Sequence, residues 1–294
     1  MRPGKGFRRY ETWLRWRIGY SLKTPYLRPY RMFAARAGRC KFPDFIIIGT
    51  QRGGTSSLYD YLCQNPRIAP PLRKEINFFD RGYHKGLTWY LAHFPMRTPD
   101  GFLAFEASTN YMFFPEAAQR VADVLPNAKL IVLLRNPIDR AYSGYLLSVA
   151  DGNEKGSFKD ALSRECIIEG GHIRALRDLR EKGIRDYVNF SNVSRGVYVN
   201  QLKAWMSKIP RERFLILKSE SLFSEPEKVL PEVLKFLGLP SGGLPSFPKR
   251  NTILSYNIHF EPLDDQTRSQ LREFYAPCNE ELSRFLDLDL HEWA

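Results

Sequence analysis

Residues 45–62 read FIIIGTQRGGTSSLYDYL: a branched apolar run, a glycine-rich turn and the start of a helix. Phosphate-binding loops are built this way, because a helix N-terminus offers unpaired amides to an anion. Gly53 and Gly54 permit close backbone approach, and the amides of Thr55, Ser56 and Ser57 lie where they can meet it. Against the triphosphate pattern G-x-x-x-x-G-K-[ST], Gly49 and Gly54 fit, but the lysine position is Thr55. The basic residue stands before the glycines instead, at Arg52.

Outward from this loop, the runs DFIIIGT, GFLAFEAS, AKLIVLLR and RFLILKSE are short, branched and continuous, as strands buried on both faces are. Helical patterns at 56–64, 115–125, 137–149, 197–208 and 226–237 alternate with them. This predicts an α/β, P-loop-like three-layer fold with a central, mostly parallel sheet flanked by helices. Ligands of such sheets bind beyond the carboxyl ends of the strands, which is where 49–57 falls. Residues 151–192 are polar and read as an excursion lining an acceptor cleft. The stretch DDQTRSQLREFYAPCNEELSRFLDLDL reads as a closing helix pair, and LPSGGLPSFPKRNTILSYNIHF before it is a long turn-rich connector.

The run KLIVLLR ends in Arg135, where an Mg-dependent NTPase would need a carboxylate. Asn136 suits a cap, Pro137 the first helical position, and Ser143 follows two turns later. A guanidinium and a hydroxyl then converge on a phosphate; the alternative for Arg135 is a surface ion pair with Asp139. Both departures favour an anion held by arginine and hydroxyls, with no metal.

Of the chain's net charge of +12, residues 1–42 supply +11, from twelve Lys or Arg against Glu11 alone. The sequence thus divides into a basic aromatic arm, 1–42, and a nearly neutral single domain, 43–294. On a helix Tyr10, Trp13, Leu14 and Ile18 share a face, which suits peripheral contact with an anionic membrane or a polyanion; the alternative is a segment wrapping the domain. Zinc-finger and RNA-binding signatures are absent, so no nucleic-acid partner is expected. No window reaches about 18 apolar residues and no apolar leader opens the chain. The expectation is a cytoplasmic enzyme, with a Golgi-lumen chain lacking its anchor as the alternative. Cys40, Cys63, Cys166 and Cys278 lack ligand spacing and read as reduced thiols. The sequons at Asn189 and Asn192 read as chance.

Together QRGGTSSL and LIVLLRNPIDRAYSGY resemble the two cofactor motifs of sulfotransferases that use 3′-phosphoadenosine 5′-phosphosulfate (PAPS). The resemblance implies that Arg52, Gly53, Gly54, Thr55, Ser56 and Ser57 hold the 5′-phosphosulfate, and that Arg135 and Ser143 hold the 3′-phosphate. Between them, PLRKEINFFDRGYHKGLTWYLAHFP resembles the Lys-Glu-x-x-Phe-Phe segment of the heparan sulfate and carbohydrate branch. It implies Glu75 as catalytic base, with Lys74, Asn77 and Phe78 beside the acceptor. FEASTNYMF resembles that branch's Glu-x-Ser-x-x-Tyr strand end and adds Ser108 and Tyr111, although Ala107 stands where animal relatives have lysine. SRGVYVNQLKAWM implies Arg195 and Tyr198 near the cofactor, and FPKRN implies a cofactor cover of Lys249, Arg250 and Asn251. The paired cysteines that bracket this late loop in animal relatives are missing. The resemblance covers about 43–285.

The implied reaction moves the sulfuryl group of PAPS in line to a hydroxyl or amine of a carbohydrate acceptor, polysaccharide or glycolipid. Glu75 takes the acceptor proton, or else merely pairs with Lys74. Arg52 and the loop amides neutralise charge on the leaving phosphate. A P-loop small-molecule kinase and a non-catalytic polyanion-binding module are the competing readings.

Overall fold

The four branched runs form the long strands of one parallel sheet, their side chains buried or half-buried on alternating sides. The computed structural model describes residues 29–96, 101–165, 191–241, 247 and 262–293. In chain order come helix α1 (29–36), β1 (Phe45–Gly49), α2 (Thr55–Leu62), β2 (Ile68–Ala69), α3 (Gly86–Leu91), β3 (Leu103–Ala107), α4 (Pro115–Val124) and β4 (Lys129–Leu134). There follow α5 (Pro137–Ala150), α6 (Phe158–Arg164), α7 (Tyr198–Met206), β5 (Phe214–Lys218), α8 (Ser219–Ser224), α9 (Pro226–Leu237) and α10 (Asp265–Leu286). The sheet order is β2-β3-β1-β4-β5, every pair parallel.

Period-two alternation divides β1 and β4 between two cores. Ile46, Ile48, Leu130, Val132 and Leu134 face the layer that includes α4, α7 and α10. Phe45, Ile47, Ile131 and Leu133 face the layer of α2 and α9, where Leu58, Leu62, Leu230 and Val233 pack. Each such buried side chain contributes about 1.5–3 kcal/mol relative to exposure. The three-layer α/β expectation therefore holds, and β1 lies centrally, with β3 on one side and β4 on the other.

Three features differ from the sequence reading. Two-residue β2 is too short to leave a periodic signal. The closing helix pair is one helix, α10, which runs through Pro277 because Leu271, Tyr275, Leu282 and Leu286 share a buried face. The last part of the arm belongs to the globular body: Ala34 and Ala35 are buried, Arg31 donates to Phe94 O at 3.1 Å, and Cys40 bridges Met96. Residues 1–28 lie outside the described residues, as do most of 151–192 and of the late connector. Cys40, Cys63 and Cys278 form no disulfide among the described residues. Asn192 is buried, consistent with a chance sequon.

Candidate active site

The chain leaves β1 at Gly49, and Thr50 N–H donates to Leu133 O at 3.0 Å, seating the loop on β4. Arg52 then adopts a left-handed φ of 71° and Gly54 one of 84°. Gly53 has no room for a side chain, since a Cβ there would stand 2.8 Å from Leu133 O. Ser219 Oγ fixes the turn from β5's end by donating to Gly53 O at 2.7 Å. The first intrahelical bond of α2 is Leu58 N–H to Gly54 O, so the preceding amides of Thr55, Ser56 and Ser57 have no helical acceptor. No acidic residue occupies that first turn. Open amides without a nearby helix carboxylate suit an anion.

The loop after β4 comes to the same place. Asn136 caps α5, its side chain accepting from Ile138 N–H at 3.0 Å, and Pro137 opens the helix. Arg135 donates from Nη1 to Arg52 O at 3.0 Å, while Arg52 Nε donates to Ser143 Oγ at 2.9 Å. Asp139 pairs with Arg268 at 3.1 Å, not with Arg135. Tyr198, expected at the cofactor, is buried beneath this cluster and donates its hydroxyl to Arg135 O at 2.8 Å. Its hydroxyl is pushed up, first by burial. Arg195 is also buried; it donates to Ser191 Oγ and Asn110 Oδ1 and covers the Phe113 ring.

On the β3 side of β1, Glu75 N–H donates to Ala107 O at 3.0 Å, which places Glu75 at the strand end. Its Oε1 accepts from Thr109 Oγ1 at 3.1 Å and pairs with Lys74 Nζ at 3.2 Å. Among the described residues none donates to Oε2. The Lys74 pair is part-exposed, and such pairs contribute about 0–1 kcal/mol. Glu75 (φ 60°) and Asn77 (φ 54°) are both left-handed. Among the described residues only Asp287 joins them and Arg52 as non-glycines of positive φ. Three of these four strained positions thus flank one crevice, and strain of about 1–3 kcal/mol per residue persists only where the surroundings impose it.

The group bracing the β3 side is Glu106, 0 % exposed at the end of β3. It accepts from Tyr90 OH at 2.6 Å, Ser108 Oγ at 2.8 Å and Tyr111 OH at 3.2 Å. Ser108 Oγ in turn accepts from Asn77 N–H at 3.0 Å, and Tyr111 OH from Phe78 N–H at 2.8 Å. Burial pushes the Glu106 carboxyl up to about 7 against these three donors. Phe78, Ser108 and Tyr111, expected beside the acceptor, are therefore buried braces: their polar bonds are used within the protein. Sequence reasoning missed Thr109, Tyr90 and Ser219, whose roles arise from contacts distant along the chain and leave no local pattern. Lys249, Arg250 and Asn251 lie outside the described residues.

The sulfotransferase domain family matches residues 42–274. A bifunctional heparan sulfate N-deacetylase/N-sulfotransferase of Homo sapiens is 31% identical over 281 residues, 84% of this chain and 30% of that protein. A heparan sulfate glucosamine 3-O-sulfotransferase of Mus musculus is 34% identical over 206 residues, 70% of this chain and 55% of that protein. The chain thus spans about a third to a half of the length of these relatives. A membrane-associated sulfotransferase of Dictyostelium discoideum is 27% identical over 84% of this chain and 66% of its own. The solved sulfotransferase of Alicyclobacillus acidocaldarius superposes with a TM-score of 0.65 at 29% identity, covering 86% of this chain and 99% of that one. Among the described residues no helix is long and apolar enough to cross a membrane. The chain belongs to the sulfotransferase domain family, whose members take their sulfuryl group from PAPS.

Proposed function

We propose that the chain transfers a sulfuryl group to a hydroxyl or amine of a carbohydrate acceptor, with Glu75 as base. The observation that carries this reading is the arrangement about β1: two arginines and a hydroxyl meet on the β4 side, and a carboxylate stands at the end of β3. PAPS, when bound, supplies the activated sulfuryl group and a phosphate leaving group.

The amides of Thr55, Ser56 and Ser57 and the Arg52 guanidinium hold the 5′ end, with Gly53 and Gly54 giving the backbone its close approach. Arg135 and Ser143 hold the 3′-phosphate, and Lys249, Arg250 and Asn251 are assigned to cover the nucleotide. Thr109 and Lys74 orient Glu75 through Oε1, leaving Oε2 to take the acceptor proton. A base so placed contributes roughly 10²–10⁴-fold. Arg52 offsets charge growing on the leaving oxygen, for which one lost preorganised donor costs on the order of 10²–10³-fold. Lys74 and Asn77 contact the acceptor, and Glu106 fixes the Glu75 loop through Ser108 and Tyr111. The carbohydrate assignment rests on the heparan sulfate sulfotransferases among the relatives. A kinase would need a lysine where Thr55 stands.

Titration calorimetry in EDTA with 3′-phosphoadenosine 5′-phosphate, ADP and ATP tests the donor half. Binding that requires the 3′-phosphate is expected; equal or tighter ATP binding would sink the proposal. Transfer of labelled sulfate from PAPS to desulfated polysaccharides and to glycolipids then identifies the acceptor.

A further inference from the structure

One surface feature takes no part in the active site. Among the described residues seven large hydrophobic side chains are exposed, and four of them, Tyr30, Phe33, Phe42 and Met96, come from two paired segments. The pairing is explicit: Cys40 bridges Met96, Lys41 N–H donates to Pro95 O at 2.9 Å, and Arg31 of α1 donates to Phe94 O. Helix α1 buries Arg31, Ala34 and Ala35 against the body, and its outer stripe at 29, 30, 33, 36 and 37 carries Tyr30, Phe33 and Arg36. Phe33 is 69% exposed and Tyr30 56%. An ordinary solvated stripe carries charged and polar residues at these positions.

Charge sets the partner. Arg36 and Arg39 are exposed beside these aromatics, and residues 1–28 add eight Lys or Arg against Glu11. The rest of the chain is nearly neutral, so in the sequence the excess positive charge belongs to α1 and the segment that leads into it. Cations alone would suit any polyanion. Phe33, a helix-borne ring with no polar tip, gains nothing from a soluble polyanion, whereas aromatic side chains beside Lys and Arg enter the headgroup boundary of a bilayer.

We propose that the outer stripe of α1, with Phe42, Met96, Arg36 and Arg39, docks on an anionic phospholipid surface and makes this a peripheral membrane sulfotransferase. Arg36 and Arg39 give the electrostatic attraction, and Tyr30 and Phe33 insert. The inference is independent of Glu75 and of the acceptor.

The full chain and a Tyr30→Ser/Phe33→Ser variant are sedimented with vesicles of phosphatidylcholine alone and of phosphatidylcholine with phosphatidylglycerol, and passed over immobilised heparin. Both substitutions replace exposed rings, and circular dichroism verifies that the fold is kept. The expected result is salt-sensitive binding to the anionic vesicles only, weakened about tenfold or more in the variant, with heparin retention unchanged. Three results would each overturn the proposal: no preference for anionic vesicles, vesicle binding unaffected by the substitutions, or a variant that loses heparin and vesicles alike.

Discussion

Arg52 Nε donates to Ser143 Oγ at 2.9 Å, so the loop after β1 and the helix after β4 share a charged hydrogen bond. Arg135 closes the circuit by donating to Arg52 O. The two loops are therefore one unit before any ligand arrives, and hydrogen bonds of this charged kind contribute about 1.5–3 kcal/mol.

Ser143→Ala is expected to weaken 3′-phosphoadenosine 5′-phosphate about tenfold or more, because Arg52 loses its fixed pose as well as a hydroxyl partner. Arg135→Ala should abolish the preference over ADP. Calorimetry on both variants checks this, and a preference for the 3′-phosphate kept by Arg135→Ala counts against the assignment.

Glu75→Gln should lower kcat by roughly 10²–10⁴-fold while leaving donor affinity within a factor of a few. Rapid-quench sulfation together with calorimetry separates the two quantities. Loss of donor binding to the same degree would mean that Glu75 serves the loop and not the acceptor.

Glu106 links stability to pH. Its carboxyl stands at about 7 in the folded protein against 4.5 for the free group, so the folded state binds more protons between those values. The contribution is fully present below about 4.5 and is lost as pH rises through 7. With each pKa unit equal to about 1.4 kcal/mol, the swing is on the order of 3 kcal/mol. Glu106→Gln should therefore gain in Tm relative to the parent as pH rises across this window, which parallel thermal melts test. Glu106→Ala, which removes the acceptor for three hydroxyls, should cost kcat without changing donor affinity.

Gly53→Ala places a methyl 2.8 Å from Leu133 O and 3.0 Å from Thr50 O, both backbone atoms that cannot swing aside. Overpacking of this kind costs about 1–3 kcal/mol. A lowered Tm with donor affinity reduced at least tenfold is expected, whereas an Ala variant that binds normally would place the anion elsewhere.

What the sequence revealed follows from how local each cause is. Burial on both faces writes itself as continuous branched runs, which is why β1, β3, β4 and β5 were legible and two-residue β2 was not. Arg52 and Arg135 were legible because their displacement from the triphosphate pattern is a departure at fixed spacing. Ser108 and Tyr111 stood in a recognisable segment, yet only the fold shows their hydroxyls turned inward to Glu106, leaving them to support Asn77 and Phe78 from below. Tyr198 is the same case beneath Arg135. Thr109 reaches Glu75 from 34 positions along the chain, a pairing that no periodicity encodes.

The central place of β1 has an evolutionary corollary. Under the proposed assignment its β4 flank takes the nucleotide and its β3 flank the acceptor, and the two flanks draw on different segments. On that assignment, substitutions around Lys74, Asn77 and Thr109 would change the choice of acceptor while leaving Arg52, Arg135 and Ser143 in place.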